Sequence, residues 1–241
     1  MSYFLYIIFA VLPSLVWLGF YLRQDQRPEP KRVVVKIFIF GMLAALLAII
    51  FEKGAALLYN IFKTYNPQPA FILYVFVGIG FVEEFLKYMA VKLSVLRDSA
   101  FDEPFDALLY LIIAALGFAA LENLLLFSEP RSYLGQEILP SIRGMAFISL
   151  GRMLTATFFH ALCSGILGYF IALSFYKTAQ KNKLVISGII FATFLHGLYN
   201  FSIMEIGGAS KYIIIGVLLI LMVSLLSVFI SKIKKLPSIC K

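Results

Sequence analysis

Charge is scarce in this sequence. Only 14% of its 241 residues are Asp, Glu, Lys or Arg, against roughly a quarter in soluble domains, while 61% are hydrophobic and the mean hydropathy is +0.93. That shortage excludes an aqueous globule, whose interior has no room for so much apolar side chain. Low-complexity segments are absent too, and connections between apolar runs are short. One compact membrane domain over residues 1–241 is therefore the simplest expected division. Of the two cysteines, Cys163 lies within an apolar run and Cys240 at the tail, so no disulfide framework is expected. Met1-Ser2-Tyr3 leads into the first apolar run without the basic start and small-residue cleavage site of a signal peptide, and that run is expected to be a retained anchor.

What is present in quantity is apolar sequence in lengths that cross about 30 Å of hydrocarbon, for which a helix needs about 20 residues. Seven runs qualify, at residues 2–22, 33–59, 70–92, 104–127, 144–176, 184–204 and 211–231. The fifth is long for one crossing and is expected to tilt, kink or begin with an interfacial stretch around Pro140 and Gly144, so that eight helices is the alternative count. The expected fold is all-α, a polytopic integral membrane protein around a polar intramembrane cavity. Lysine and arginine concentrate in alternate connections: Arg23, Arg27, Lys31, Arg32 and Lys36; Lys92 and Arg97; Lys177, Lys181 and Lys183; and Lys232, Lys234, Lys235 and Lys241. The intervening connections hold only Lys63, Arg131, Arg143 and Lys211. This bias predicts a multi-pass cell-membrane protein with its N-terminus outside and its C-terminus in the cytoplasm. The net charge of +8 is accordingly a topology signal, and nucleic acid is not an expected partner, because such short loops build no folded basic face.

Against this background each ionisable group inside a run costs several kcal/mol unless it finds partners, which makes it a functional candidate. The third run reads FVEEFLKYMAVKL, with Glu83 and Glu84 at i−4 and i−3 from Lys87. A packing ion pair needs one carboxylate, and here there are two. The fourth opens with DEPFDALLY and ends with GFAALENLLLF, which carries Glu122 and Asn123; Asp106 alone reads as an interfacial or helix-start carboxylate. The fifth contains GRMLTATFFHALCSG, where Arg152 and His160 are eight residues apart, an offset of about 80° on a helix. The sixth contains FLHGLYNF, with His196 and Asn200 one turn apart on one face. A lone membrane histidine more often bonds a neighbouring helix than catalyses, but both histidines of the chain lie in such runs. Their settings, TATFFHAL and FATFLHGL, match in register, and successive spans run in opposite directions, so the two rings can face one another. At 1.5 Å of rise per residue, Glu83 and Glu84 lie roughly 13 Å from the basic side, His196 roughly 18 Å, and Glu122 and His160 roughly 25 Å. One polar layer is expected, from mid-membrane to the outer half.

Glutamates and two histidines supply what water activation requires. Imidazole nitrogens and a carboxylate hold zinc with an open position while a second carboxylate takes the proton; Glu83, His160 and His196 form one such ligand set, with Glu84 or Glu122 as alternatives. Without metal, a glutamate acts as general base while His196 and Asn200 donate to the oxyanion. Three glutamates against Lys87 and Arg152 lean toward a bound cation.

EEFLK at 83–87, DEPFDALLY and GFAALEN at 102–123, RMLTATFFHALCSG at 152–165 and HGLYN at 196–200 together resemble the PrsW family of bacterial intramembrane proteases, four motifs in order over most of the chain. More distantly they resemble the type II CAAX prenyl endopeptidases, which share paired glutamates, two histidines and an asparagine. The resemblance implies a membrane metalloprotease, with zinc as the metal, that makes the first cut in a membrane-spanning substrate such as an anti-sigma factor, on its extracytoplasmic side. By motif it marks Glu83, Glu84 and His160 as essential, completed by His196, Asn200, Glu122 and Asn123. This chain departs from the family in carrying Ala107 and Leu111 where glycine is common, so helix packing there is expected to differ. The readings set against an intramembrane protease are a CAAX-type prenyl-protein peptidase, a transporter or proton relay, and an idle binder of transmembrane helices. Transport is disfavoured because no proline interrupts the run near the glutamates.

Overall fold

A computed structural model describes residues 3–237 except 97, 99, 129, 130, 134, 135, 139 and 140. Among these, seven helical stretches are long and apolar enough to span a membrane, and the fold is that of an all-α polytopic membrane protein. The first two spans are α1 (Tyr3–Leu22) and α2 (Lys31–Phe62). The third is composite: α3 (Pro67–Leu73), a π-helical segment (Tyr74–Phe81) and α4 (Val82–Ser94). The fourth is α5 (Pro104–Ser128), and a short antiparallel hairpin of β1 (Arg131–Tyr133) and β2 (Gln136–Ile138) follows it. The fifth run is broken at Thr155, where φ is −119° and ψ −92°, into α6 (Ile142–Leu154) and α7 (Ala156–Tyr176). This is the kink its length demanded; Pro140 lies outside the described residues, as does Cys240. The last spans are α8 (Lys181–Met204) and α9 (Ser210–Ile233).

The fourth run carries few groups that want water, and it fills the centre. α5 is wrapped by α1, α2 and α7, and Leu108 through Leu116 show no exposed surface. The outside is inverted relative to a soluble protein: Leu46, Leu47, Ile50, Leu57, Leu58, Ile213 and Ile220 all point outward, as lipid contact requires. Small residues allow close backbone approach where no hydrophobic drive pulls helices together. A Cβ on Gly41 would lie 2.0 Å from the Ala114 carbonyl oxygen, and one on Gly117 2.1 Å from that of Phe38, so α2 and α5 touch backbone to backbone. At Ala107 and Leu111, both fully buried, the close approach is supplied from the facing helix by Gly168, whose Cβ would lie 2.4 Å from the Leu108 Cα. The same device joins the third and sixth spans, where a Cβ on Gly197 would strike the Phe76 ring at 2.2 Å and one on Gly80 would meet Thr193 and Gly197 backbone atoms at 3.1 and 3.2 Å. The helix carrying the paired glutamates is thereby pressed against the helix carrying His196.

Candidate active site

The π-helical segment ends at Phe81, and the glutamates follow in the first turn of α4. Irregular turns of this kind recur at functional sites because they re-aim the side chains that follow. No proline lies near the glutamates in the sequence, and the irregularity lies in the backbone geometry of Tyr74–Phe81. Glu83, Glu84 and Lys87 are all buried, at 4, 0 and 0% exposure. The Lys87 ammonium has three donors and uses each: Glu83 Oε2 at 3.1 Å, Glu84 Oε1 at 2.7 Å and His160 Nδ1 at 2.8 Å. It also lies over the Phe118 ring, 4.4 Å from the centroid. One cation thus binds both carboxylates of the pair and the histidine of α7.

The second carboxylate has further work. Glu84 accepts from Ser164 Oγ at 2.9 Å and lies 2.8 Å from His196 Nδ1. A carboxylate oxygen accepts, which assigns the ring proton of His196 to Nδ1 and leaves a lone pair on Nε2, 3.6 Å from Glu83 Oε1. Likewise the lysine ammonium donates to His160 Nδ1, so His160 Nε2 carries the proton toward Glu122 Oε2 at 2.8 Å. Glu122 also receives Arg152 at 3.3 Å. Arg152 and His160 belong to different helices on either side of the Thr155 break, yet both reach Glu122. The two imidazole centroids are 5.4 Å apart.

Of the residues marked by sequence, Glu83, Glu122, His160, His196 and Asn200 line one cavity of about 260 Å³, together with Arg152. Glu84 and Asn123 stand behind it. Asn123 donates to the Ala10 carbonyl at 3.1 Å and to Thr157 at 3.2 Å, and its oxygen accepts from Arg152 Nε, so it fixes the arginine against α1 and α7. Asp106 is a helix-start carboxylate, accepting the Asp102 and Glu103 backbone N–H groups at 3.0 and 2.7 Å. Glu52 of α2 was missed: it lines the same cavity and makes no hydrogen bond or ion pair among the described residues. The rule that flagged the other glutamates would have found it, since it interrupts the apolar run of the second span.

Donor atoms of Glu83, His160 and His196 all lie within 4.8 Å of one another. A second group, Glu84, Cys163 and His196, is equally compact, but its Glu84 is already committed to Lys87, Ser164 and His196 Nδ1. The first set fits a divalent metal in donor chemistry. His196 offers a bare Nε2 with its other nitrogen held by a carboxylate, the usual outer support of a metal-bound histidine. The carboxylates Glu83, Glu84 and Glu122 outnumber the cations Lys87 and Arg152 by one. At His160 both nitrogens have partners, so ligation there displaces either Lys87 or Glu122.

A family model described as PrsW family intramembrane metalloprotease matches residues 29–229. The chain is similar to Protease PrsW of Clostridioides difficile, 28% identical over 205 residues that make up 82% of this chain and 78% of that one. It is also similar to Protease PrsW of Geobacillus kaustophilus, 28% identical over 192 residues (79% and 76%), and of Bacillus subtilis, 26% identical over 194 residues (80% and 79%). No solved structure matches. With buried glutamates and histidines gathered on one intramembrane cavity and a family model matched over most of its length, the chain belongs to the PrsW family of intramembrane proteases.

Proposed function

We propose that the protein is an endopeptidase that hydrolyses a peptide bond in or near the transmembrane segment of a membrane-spanning protein, from the outer half of the cell membrane, with zinc as its metal. The observation that carries this reading is the meeting of Glu83, Glu122, His160 and His196, from four helices, on one cavity inside the bundle. In this reading residues 1–241 form a single protease domain, and the lysine and arginine bias sets the N-terminus outside. The 28% identical relatives named Protease PrsW support a proteolytic reaction.

Glu83, His160 and His196 would hold the metal, which when bound polarises the scissile carbonyl and acidifies water. Glu122, a third exposed at its side chain, keeps Oε1 free while Oε2 is held by His160 and Arg152, and takes the proton of the attacking water before passing it to the leaving amine. Arg152 and Asn200 face the cavity as donors for the developing oxyanion. His196 is poorly suited to that role, because its protonated nitrogen is turned to Glu84. This favours the metal-dependent scheme over the glutamate-only one. Glu84, Lys87, Ser164 and Asn123 are positioning residues.

The test is a reconstituted reaction: purified protein and a single-span membrane protein in vesicles. The expected result is two fragments, suppressed by a chelator and restored by zinc. An intact substrate in the presence of folded, zinc-supplied protein, or cleavage only of a prenylated C-terminal peptide, counts against the proposal.

A further inference from the structure

A larger cavity lies away from the glutamate layer. The π-helical segment packs closely along α8, but α4, which continues it, barely touches α8. The two helices therefore part toward the end of the bundle where α4 finishes and α8 begins. Between them runs a groove of about 730 Å³, floored by Ile171 and Phe175 of α7. Its size falls in the range of small-molecule sites, about 300–1,000 Å³. The walls are apolar and face outward: Leu93 is 70% exposed and Ile186 56%.

Two lysines stand at the end of this groove. Lys92 is in the last turn of α4 and Lys181 opens α8, and both line it together with Asn182. Each ammonium lies over an aromatic ring of the groove, Lys92 at 5.6 Å from the Tyr88 centroid and Lys181 at 5.7 Å from that of Phe175. Neither forms an ion pair or hydrogen bond among the described residues, whereas neighbouring Lys36 is spent on the Ser94 carbonyl at 2.6 Å. Paired cations at a helix-end level over an outward-facing apolar channel match an amphiphile with a negative head and a hydrocarbon tail.

We propose that this groove binds an anionic phospholipid, its phosphate between Lys92 and Lys181 and one acyl chain lying along Phe85, Ile186 and Ile189. The occupant fills the gap between α4 and α8, and so braces the helices that carry Glu84 and His196. Basic pockets between membrane helices select such headgroups by charge, at about fivefold per lysine.

The experiment is native mass spectrometry of the purified full-length protein in detergent with equal amounts of phosphatidylglycerol and phosphatidylcholine of the same acyl chains. The expected result is preferential retention of phosphatidylglycerol, by up to about 30-fold for two lysines. Lys92→Gln with Lys181→Gln should abolish the preference, and Lys63→Gln with Lys211→Gln, at the other end of the bundle, should keep it. Ile186→Trp, an outward-facing change that fills the channel, should reduce retention of both lipids and keeps the test decisive if the lysine pair does not fold. Equal retention of the two lipids by the unmodified protein, a preference that survives the Lys92 and Lys181 changes, or a peptide mass in place of lipid would overturn the proposal. So would stabilisation against heat by free glycerophosphoglycerol equal to that by the whole lipid.

Discussion

Lys87 is the residue on which the buried charges turn. Its fully buried ammonium bonds two carboxylates and an imidazole, so Lys87→Met leaves Glu83 and Glu84 uncompensated. Removing one partner of a buried ion pair costs about 3–5 kcal/mol; Lys87→Met should lower the thermal unfolding midpoint and the yield of folded protein in detergent, and a variant as stable as the parent would contradict this. Glu84→Gln has a narrower effect. It conserves shape but weakens the hold on His196 Nδ1, and loss of such outer support typically costs 10- to 100-fold in metal affinity, which zinc titration of the folded variant measures. Glu52→Gln should lower cleavage partially and less than Glu83→Gln, because Glu52 lines the cavity without a bonded partner among the described residues. At this scale the sequence marked Glu83, Glu84, Glu122, His160 and His196 through their cost in lipid, and Asn200 through its place one turn from His196. It was silent on Ser164 and on the placement of Asn123, since a hydroxyl or an amide in a helix carries no comparable penalty and its partners are decided by packing.

Among the elements, the composite third span does most to place the site. Gly197 lets the π-helical segment lie against α8, and a methyl group there meets the Phe76 ring at its near edge. Overpacking of this kind costs about 1–3 kcal/mol. Gly197→Ala should therefore reduce cleavage more than it reduces stability, by moving Glu84 from His196; equal activity at equal stability would show that the two helices have slack. The first connection offers a pH signature. The Glu29 carboxyl is pushed up to about 8 by burial, with Asp106 facing it, against the opposing pull of the Tyr110 hydroxyl that donates to it at 2.5 Å. A carboxyl raised in the folded state favours folding while it is protonated in both states, and that contribution is lost as pH rises from about 4.5 through 8. Stability should fall over that window, and Glu29→Gln should flatten the fall in a thermal melt series. Hydropathy foretold the span limits to within three residues, and the length of the fifth run foretold its kink, but pattern did not locate the break at Thr155 or reveal the π-helical turns. Both preserve apolar pattern while altering backbone geometry, which pattern does not record.

On the scale of the whole molecule, a central α5 buried on all sides and an outer surface of leucine and isoleucine enclose the polar layer of Glu83, Glu122, His160 and His196. The alternation of basic and non-basic connections predicts which side of the membrane this layer faces. An alkaline phosphatase fused after Lys235 should be inactive and one fused after Lys63 active; the reverse pattern would invert the topology. In the orientation this bias predicts, Met204, which lines the cavity and is half exposed at the end of α8, lies toward the outer face. The most direct measurement of the central claim is mass-spectrometric mapping of the fragments made from a single-span membrane substrate by the parent protein and by Glu83→Gln. The account predicts one cut in the outer half of the substrate segment or just beyond it, and a fall of 10²-fold or more for the folded Glu83→Gln protein. A cut on the side of the lysine-rich connections, or undiminished cleavage by Glu83→Gln, would contradict it.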